Sequence, residues 1–168
     1  MIRSRSTSFR SVAVSTGMAL FALGISSTVA VADDHEADDA RIKYRQSVMS
    51  TIGTNMGAIG DIMKNRLALP GAIENHAGQM ADAAALIAPA FKKNLSEGRT
   101  DAKPEIWQDW AKFESAIAKY EEAAQGLATA ASSGDPSAVG PAMRALGKSC
   151  GGCHKPFRKA KEDSFKKK

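Results

Sequence analysis

The feature that most constrains this chain is the run Cys150-Gly151-Gly152-Cys153-His154, which lies close to the C-terminus. Two cysteines three residues apart share one face of a helix, and a histidine directly follows the second. This C-x-x-C-H spacing is typical of a c-type haem attachment. The thiols of Cys150 and Cys153 add to the two vinyl groups, and His154 becomes the proximal ligand of the iron. The sequence therefore predicts one covalently bound haem c.

The same residues allow two other interpretations. A C-x-x-C pair in an exported protein can form a small disulfide or a thioredoxin-like redox pair. A thioredoxin-like pair sits at the head of a helix that follows a strand, whereas this chain has no βαβ pattern. A structural zinc site needs four ligands, and His35 and His76 follow no finger spacing that would supply the fourth. Haem attachment is therefore the preferred interpretation.

Residues 1–32 have the features of a secretory signal peptide. The basic n-region contains Arg3, Arg5 and Arg10. A mostly apolar region follows at 12–25, and residues 30–32 (Ala-Val-Ala) give the small-x-small pattern that precedes cleavage. The apolar run is shorter than the roughly 18 residues expected of a membrane-spanning helix. We therefore expect cleavage rather than membrane anchoring, a single mature domain at 33–168, and a periplasmic location.

The charge balance gives no support to nucleic-acid binding. The chain has 23 Lys and Arg against 18 Asp and Glu, a net charge of +5. Three of the arginines belong to the predicted signal peptide, so the mature charge is only +2. The remaining asymmetry is local, with an acidic stretch at 33–39 and a basic one at 155–168. Either both ends are simply solvated, or the basic end steers an acidic redox partner to the haem.

Apolar residues recur at alternating steps of three and four, which indicates amphipathic helices. The first helix is predicted over 38–66, and the second, after the breaker at 69–71, over 71–88. Residues 92–103 are polar and predict a loop, and the third helix begins at Pro104. The apolar stripe of the first helix contains three isoleucines and three methionines: Ile42, Met49, Ile52, Met56, Ile59 and Met63.

The fourth helix is predicted to begin at Pro136, with Asp135 as its N-cap. Its apolar stripe contains both Cys150 and Cys153. Pro141 should disturb its start, because proline lacks the backbone N–H. Four amphipathic helices joined by short or moderate loops predict an all-α antiparallel bundle with a cofactor site in its core.

A signal peptide, four helices and a single C-x-x-C-H in the last helix resemble the class II c-type cytochromes, which comprise cytochrome c′ and its low-spin relatives. The resemblance covers essentially the whole of 33–168. Besides the haem motif it includes Tyr44-Arg45-Gln46 with Met49, residues 103–107 (Lys-Pro-Glu-Ile-Trp), and Phe157-Arg158-Lys159. It implies an up-down-up-down bundle with one covalent haem c. Dimerisation is common in the family, and the sequence leaves a homodimer open.

The resemblance also implies roles for individual residues. Arg45 and Gln46 match positions near the haem edge and propionates, and Asp101 matches a loop position near the haem. Met49 matches the residue that faces the distal side of the iron.

Whether Met49 binds the iron distinguishes two functions. If its thioether binds the iron, the haem is six-coordinate and low-spin, which favours electron transfer. If Met49 only covers the distal face, a five-coordinate haem can bind nitric oxide or carbon monoxide. A methionine at helical spacing is also ordinary core filler. We expect an electron-transfer protein with Met49 as sixth ligand and periplasmic redox partners, with gas binding as the alternative. No enzyme is indicated, and peroxidase-like activity lacks a distal His or Arg pair near Met49.

Overall fold

The computed structural model describes residues 34–167, which contain six α-helices. The helices are α1 (Asp34–Asn65), α2 (Ala72–Ala84), α3 (Ile87–Ala90), α4 (Glu105–Gln108), α5 (Trp110–Ser132) and α6 (Pro136–Phe157). A C-terminal tail, residues 158–167, follows α6 and contains two 3₁₀ turns. The predicted signal peptide at 1–32 lies outside the described residues and stays a prediction.

Four long helices, α1, α2, α5 and α6, form the body of the molecule. Helix α1 packs against α2, α2 against α5, and α5 against α6, and the chain reverses direction at each step. The predicted antiparallel four-helix bundle is confirmed. None of the helices within residues 34–167 has the length and apolar character needed to cross a membrane.

The second and third predicted helices are each split. The segment predicted over 71–88 breaks after Ala84, and Ile87 begins the short α3. The third helix does begin a turn near Pro104, but Asp109 leaves the helical conformation with φ −136° and ψ 68°. Its carboxylate accepts a hydrogen bond from Lys112 N at 3.1 Å and caps α5. An apolar period cannot reveal such a break, because the capping side chain competes locally with the helix.

Helix α6 begins where the sequence predicts. Asp135 accepts a hydrogen bond from Ser137 N at 2.8 Å, and Pro136 is the first helical residue. The expected disturbance at Pro141 is small, since the helix continues unbroken to Phe157. Proline at position 141 removes the one hydrogen bond that an N–H there would donate to the carbonyl of Ser137.

The core lies along the middle of the bundle, but the buried stripe of α1 differs from the predicted one. It consists of Ile42, Arg45, Val48, Ile52, Asn55, Ile59 and Ile62. Met49 and Met56 are half-buried at its edge, and Met63 is 39% exposed. The three methionines repeat every seven residues, each one position after a buried residue of this stripe, so they share a face beside the buried one. They therefore line the edge of the core.

Candidate functional site

The C-x-x-C-H run lies near the C-terminal end of α6. Cys150 and Cys153 are half-buried, pack against the hydrophobic core, and are free rather than joined to each other. The following residue, His154, is exposed. One helical segment thus presents two thiols to the interior of the bundle and an imidazole beside them.

The surroundings set the protonation of these groups. Burial raises the pKa of Cys150, and it raises the pKa of Cys153 to about 11. The thiols are therefore protonated near neutral pH, unlike the activated thiolates of redox-active cysteine pairs. Desolvation and then the charge of Arg158 lower the pKa of His154. A neutral imidazole is the form that binds a metal through nitrogen.

Helices α1 and α6 face each other differently from the other neighbouring pairs. Their backbones hardly approach, and two methionines of α1 reach across to two glycines of α6. A Cβ placed on Gly147 would lie 3.7 Å from Met56 Cε, and one placed on Gly140 would lie 3.9 Å from Met63 Cε. We call this contact, formed by Met56, Met63, Gly140 and Gly147, the α1–α6 interface.

The register of the α1–α6 interface extends to the haem motif. Because the two helices are antiparallel, seven residues back along α1 correspond to seven residues onward along α6. Met63 faces Gly140 and Met56 faces Gly147. The next heptad step along both helices pairs Met49 with His154, which predicts that the two residues lie at a similar level. A thioether, an imidazole and the two thiols of Cys150 and Cys153 form a donor set that fits a haem.

Arg45 is held by backbone carbonyls and aromatic rings of the protein. Its Nη1 donates to Leu95 O at 3.0 Å and its Nη2 to Lys93 O at 3.3 Å. The guanidinium lies 5.1 Å from the ring centre of Phe91 and 5.2 Å from that of Trp107. Burial lowers its pKa, and only its Nε lacks a partner. Arg45 therefore ties α1 to the segment after α3, and its Nε is a buried donor without a partner. Its role at the haem edge stays a prediction.

Gln46 and Asp101 are also engaged with the protein. Gln46 Nε2 donates to Arg99 O at 2.7 Å. The carboxylate of Asp101 accepts hydrogen bonds from Ser164 Oγ at 2.9 Å and from Phe165 N at 3.0 Å. Asp101 thus anchors the C-terminal tail. The predicted positions of Gln46 and Asp101 near the haem stay predictions.

The sequence carried a signal for the burial of Arg45 but none for the anchoring of the tail. Arg45 is three residues from both Ile42 and Val48, so it falls on the buried stripe. Asp101 and Ser164 are 63 residues apart, and no local pattern links them.

An antiparallel bundle with C-x-x-C-H in its last helix and a methionine at the same level in its first defines a c-type haem protein of the helical-bundle class. The family model described as cytochrome c′ matches residues 40–158. A cytochrome c′ from Rhodospirillum rubrum is 38% identical over 143 residues, which cover 84% of this chain and 96% of that protein.

Two solved structures agree with this assignment. The cytochrome c prime from Shewanella frigidimarina gives a TM-score of 0.68 at 31% identity and covers 73% of this chain and 97% of that one. A nitric oxide complex of a mutant cytochrome c prime from Alcaligenes xylosoxidans gives 0.66 at 30% identity, with coverages of 73% and 97%. This chain belongs to the cytochrome c′ family. It is a monohaem c-type cytochrome with one covalent haem c.

Proposed function

We propose that this cytochrome binds nitric oxide or a similar diatomic gas at a five-coordinate haem. Cys150 and Cys153 hold the haem, His154 is the proximal ligand, and Met49 covers the distal face without bonding the iron. The observation that carries the choice of gas binding is the similarity to an Alcaligenes xylosoxidans cytochrome c prime whose solved structure is a nitric oxide complex. The α1–α6 register supports a position for Met49 near the level of His154, because Met56 and Met63 lie beside Gly147 and Gly140 one and two heptads away. This ordering reverses the expectation from the sequence, in which Met49 ligation and electron transfer came first.

The surroundings of Met49 favour a small neutral ligand. When bound, the haem supplies an iron with one open coordination position. Val48 and Ile52, next to Met49 on α1, are buried apolar side chains. Arg45, one turn away, is held by two carbonyls and two aromatic rings, so it is not available to polarise a bound peroxide. This arrangement supports gas binding rather than enzymatic turnover.

Electron transfer with Met49 as sixth ligand is the second candidate function. The same register supports it, because the heptad step that pairs Met49 with His154 would also bring a thioether to the iron. His/Met ligation would raise the reduction potential and favour reversible electron exchange. The two candidates differ only in whether Met49 forms this bond.

Spectroscopy of two matched variants separates them. Met49→Ala removes the thioether at the haem level, and Met56→Ala removes the same side chain one heptad away on α1. We expect a high-spin ferric spectrum in the wild type and in both variants. Removing a side chain that only covers the distal face should raise the rate of carbon monoxide binding to ferrous Met49→Ala by about tenfold, which corresponds to ~1.4 kcal/mol. Met56→Ala should bind at close to the wild-type rate.

A low-spin wild-type spectrum that becomes high-spin only in Met49→Ala would establish the electron-transfer function instead. If Met49→Ala and Met56→Ala changed the rate equally, Met49 would have no special place on the distal side.

We further propose that residues 1–32 are removed on export and that the mature protein functions in the periplasm. Mass measurement of the exported protein should give a chain that begins at Asp33 and carries the mass of one haem. A retained N-terminus in membrane fractions would contradict this proposal.

A further inference from the structure

A cleft of about 920 Å³ opens between the end of α6 and the C-terminal tail. His154 and Gly151 contribute to it from α6. Among the described residues that line it, seven are lysine or arginine and only Asp163 is acidic. A cationic cleft therefore lies at the exposed imidazole of His154.

The tail that forms one side of this cleft is held in place by specific contacts. Lys159 N donates to Asp101 O at 2.8 Å, and Lys159 Nζ donates to Thr100 O at 3.1 Å. The Asp101 carboxylate binds Ser164 and Phe165, and Ser164 is only 8% exposed. The tail is thus fixed against the loop before α4, and its charges have defined positions.

Several of the cations in the cleft are available to a partner. Arg158 is compensated by Asp101 at 3.6 Å, and Lys103 lies 3.5 Å from Glu105. The remaining exposed lysines of the cleft form no ion pair within residues 34–167: Lys155, Lys161, Lys166 and Lys167. Four uncompensated charges on one concave surface attract an opposite charge more strongly than scattered ones do.

We propose that the tail, anchored by Asp101, forms with the end of α6 a docking surface for an acidic electron-donor protein at the imidazole edge of His154. The inference rests on the proposed function in one respect, namely that His154 is the proximal ligand of the haem. Because the gas binds ferrous iron, a ferric haem must first receive an electron from a donor. One electron leaves the reduced partner and converts ferric to ferrous iron, and no bond forms between the two proteins.

The shape of this surface favours a protein over a membrane. Its charges line a concavity, whereas anionic lipid headgroups form a broad surface that a projecting polybasic segment contacts best. The one aromatic side chain of the tail, Phe165, is half-buried and lies under the guanidinium of Arg99, with 5.7 Å between them. It is therefore not presented for insertion into a bilayer.

Charge reversal at matched positions tests the proposal on the holoprotein. Lys161→Glu with Lys166→Glu alters the cleft, and Lys64→Glu with Lys119→Glu makes the same change in net charge on exposed positions of α1 and α5. The probe is flavodoxin, an acidic one-electron donor. Two quantities are measured at several ionic strengths: the binding of oxidised flavodoxin by calorimetry and the reduction of the ferric cytochrome by reduced flavodoxin.

At low ionic strength, we expect the cleft variant to bind flavodoxin more weakly and to be reduced by it about tenfold more slowly than wild type. Both quantities should depend less on salt than they do in the wild type. The control variant should stay within about twofold of wild type. Equal effects of the two pairs would overturn the proposal, because only net charge would then matter.

The variant Asp101→Ala tests whether flavodoxin binding depends on the position of the tail or only on its charge. This change makes the protein more positive, so charge alone predicts tighter binding to flavodoxin. Loss of the anchor instead predicts binding about threefold weaker, because the lysines of the tail are no longer pre-organised. Tighter binding by Asp101→Ala would overturn the role of the anchored tail.

Two further outcomes also count against the proposal. One is stronger binding to phosphatidylglycerol vesicles than to flavodoxin, lost only in the cleft variant. The other is full competition by inorganic phosphate at constant ionic strength, which would indicate a small-anion site. The binding measurement does not depend on the spin state of the haem, so failure of the gas-binding proposal would appear in the spectra and leave this test intact.

Discussion

The two sides of the bundle are packed in different ways. Between α2 and α5, the side chains of Ala77, Met80, Ala124 and Leu127 are fully buried, and Tyr120 Oη donates to Met80 O at 3.2 Å. At the α1–α6 interface, half-buried and exposed methionines cross to glycines, and the backbones stay apart.

Stability and function thus belong to different helix pairs. Close packing of small and large side chains between α2 and α5 leaves no room for a cofactor. The separation of α1 and α6, where long flexible thioethers reach across to glycines, suits a pair of helices that must hold a flat group between them.

Replacing both thiols should abolish covalent haem attachment. In Cys150→Ser with Cys153→Ser, no thioether can form, so acid–acetone extraction should remove all haem from the protein, whereas the wild type should retain it. The single variants Cys150→Ser and Cys153→Ser serve as controls and should each keep one bond. Haem that stays with the double variant after extraction would show that these cysteines are not the attachment site.

Replacing a methionine by alanine should destabilise the protein far more between α2 and α5 than at the α1–α6 interface. Met80 on α2 is fully buried, so Met80→Ala should lower the free energy of unfolding by about 3 kcal/mol. Met63 at the α1–α6 interface is 39% exposed, so Met63→Ala should cost less than about 1 kcal/mol. Denaturant unfolding of the two holoproteins measures both values. Equal costs would remove the distinction between the two helix pairs.

Adding one methyl group should distinguish an open helix surface from the α1–α6 interface. A Cβ at Gly126 of α5 meets no atom within 4 Å, so Gly126→Ala should stabilise the protein by about 1 kcal/mol through helix propensity. A Cβ at Gly147 would lie at ordinary contact distance from Met56, so Gly147→Ala should gain at least as much as Gly126→Ala, because the added methyl group also makes a van der Waals contact. Thermal unfolding of both variants compares them. A smaller gain at Gly147 would mean that Met56 leaves no room for the added methyl group.

The smallest expected effect concerns the start of α6. Hydrogen bonds from the Ser137 side chain and backbone lower the pKa of Asp135 below its usual 3.8. Because the folded-state pKa is the lower one, ionised Asp135 stabilises the fold above the unfolded-state pKa, and this contribution is lost as the pH falls through the folded-state pKa.

Asp135→Ala should therefore melt slightly below wild type at pH 7, and the difference should shrink as the pH falls below about 4. Melting curves recorded across this range provide the measurement. A difference that stays constant to pH 2 would argue against stabilisation by the ionised carboxylate.

Features that depend on neighbouring residues were predictable from the sequence. The four-helix bundle, the start of α6 at Pro136 and the non-helical segment before Pro104 all agree with the structure. The C-x-x-C-H run predicted a covalent haem c, and membership of the cytochrome c′ family agrees with it. Caps, proline positions and apolar periods act within one or two helical turns, so they can be recognised directly in the sequence.

The tertiary structure alone decided how distant residues meet. The methionines of α1 lie at the edge of the core, and Arg45 lies near the rings of Phe91 and Trp107. The carboxylate of Asp101 accepts a hydrogen bond from Ser164. The contacts of Arg45 and Asp101 join residues 46 or more positions apart. The position of the methionines depends on which face of α1 its neighbours leave free. Such contacts arise from the packing of whole helices, which a local sequence pattern does not specify.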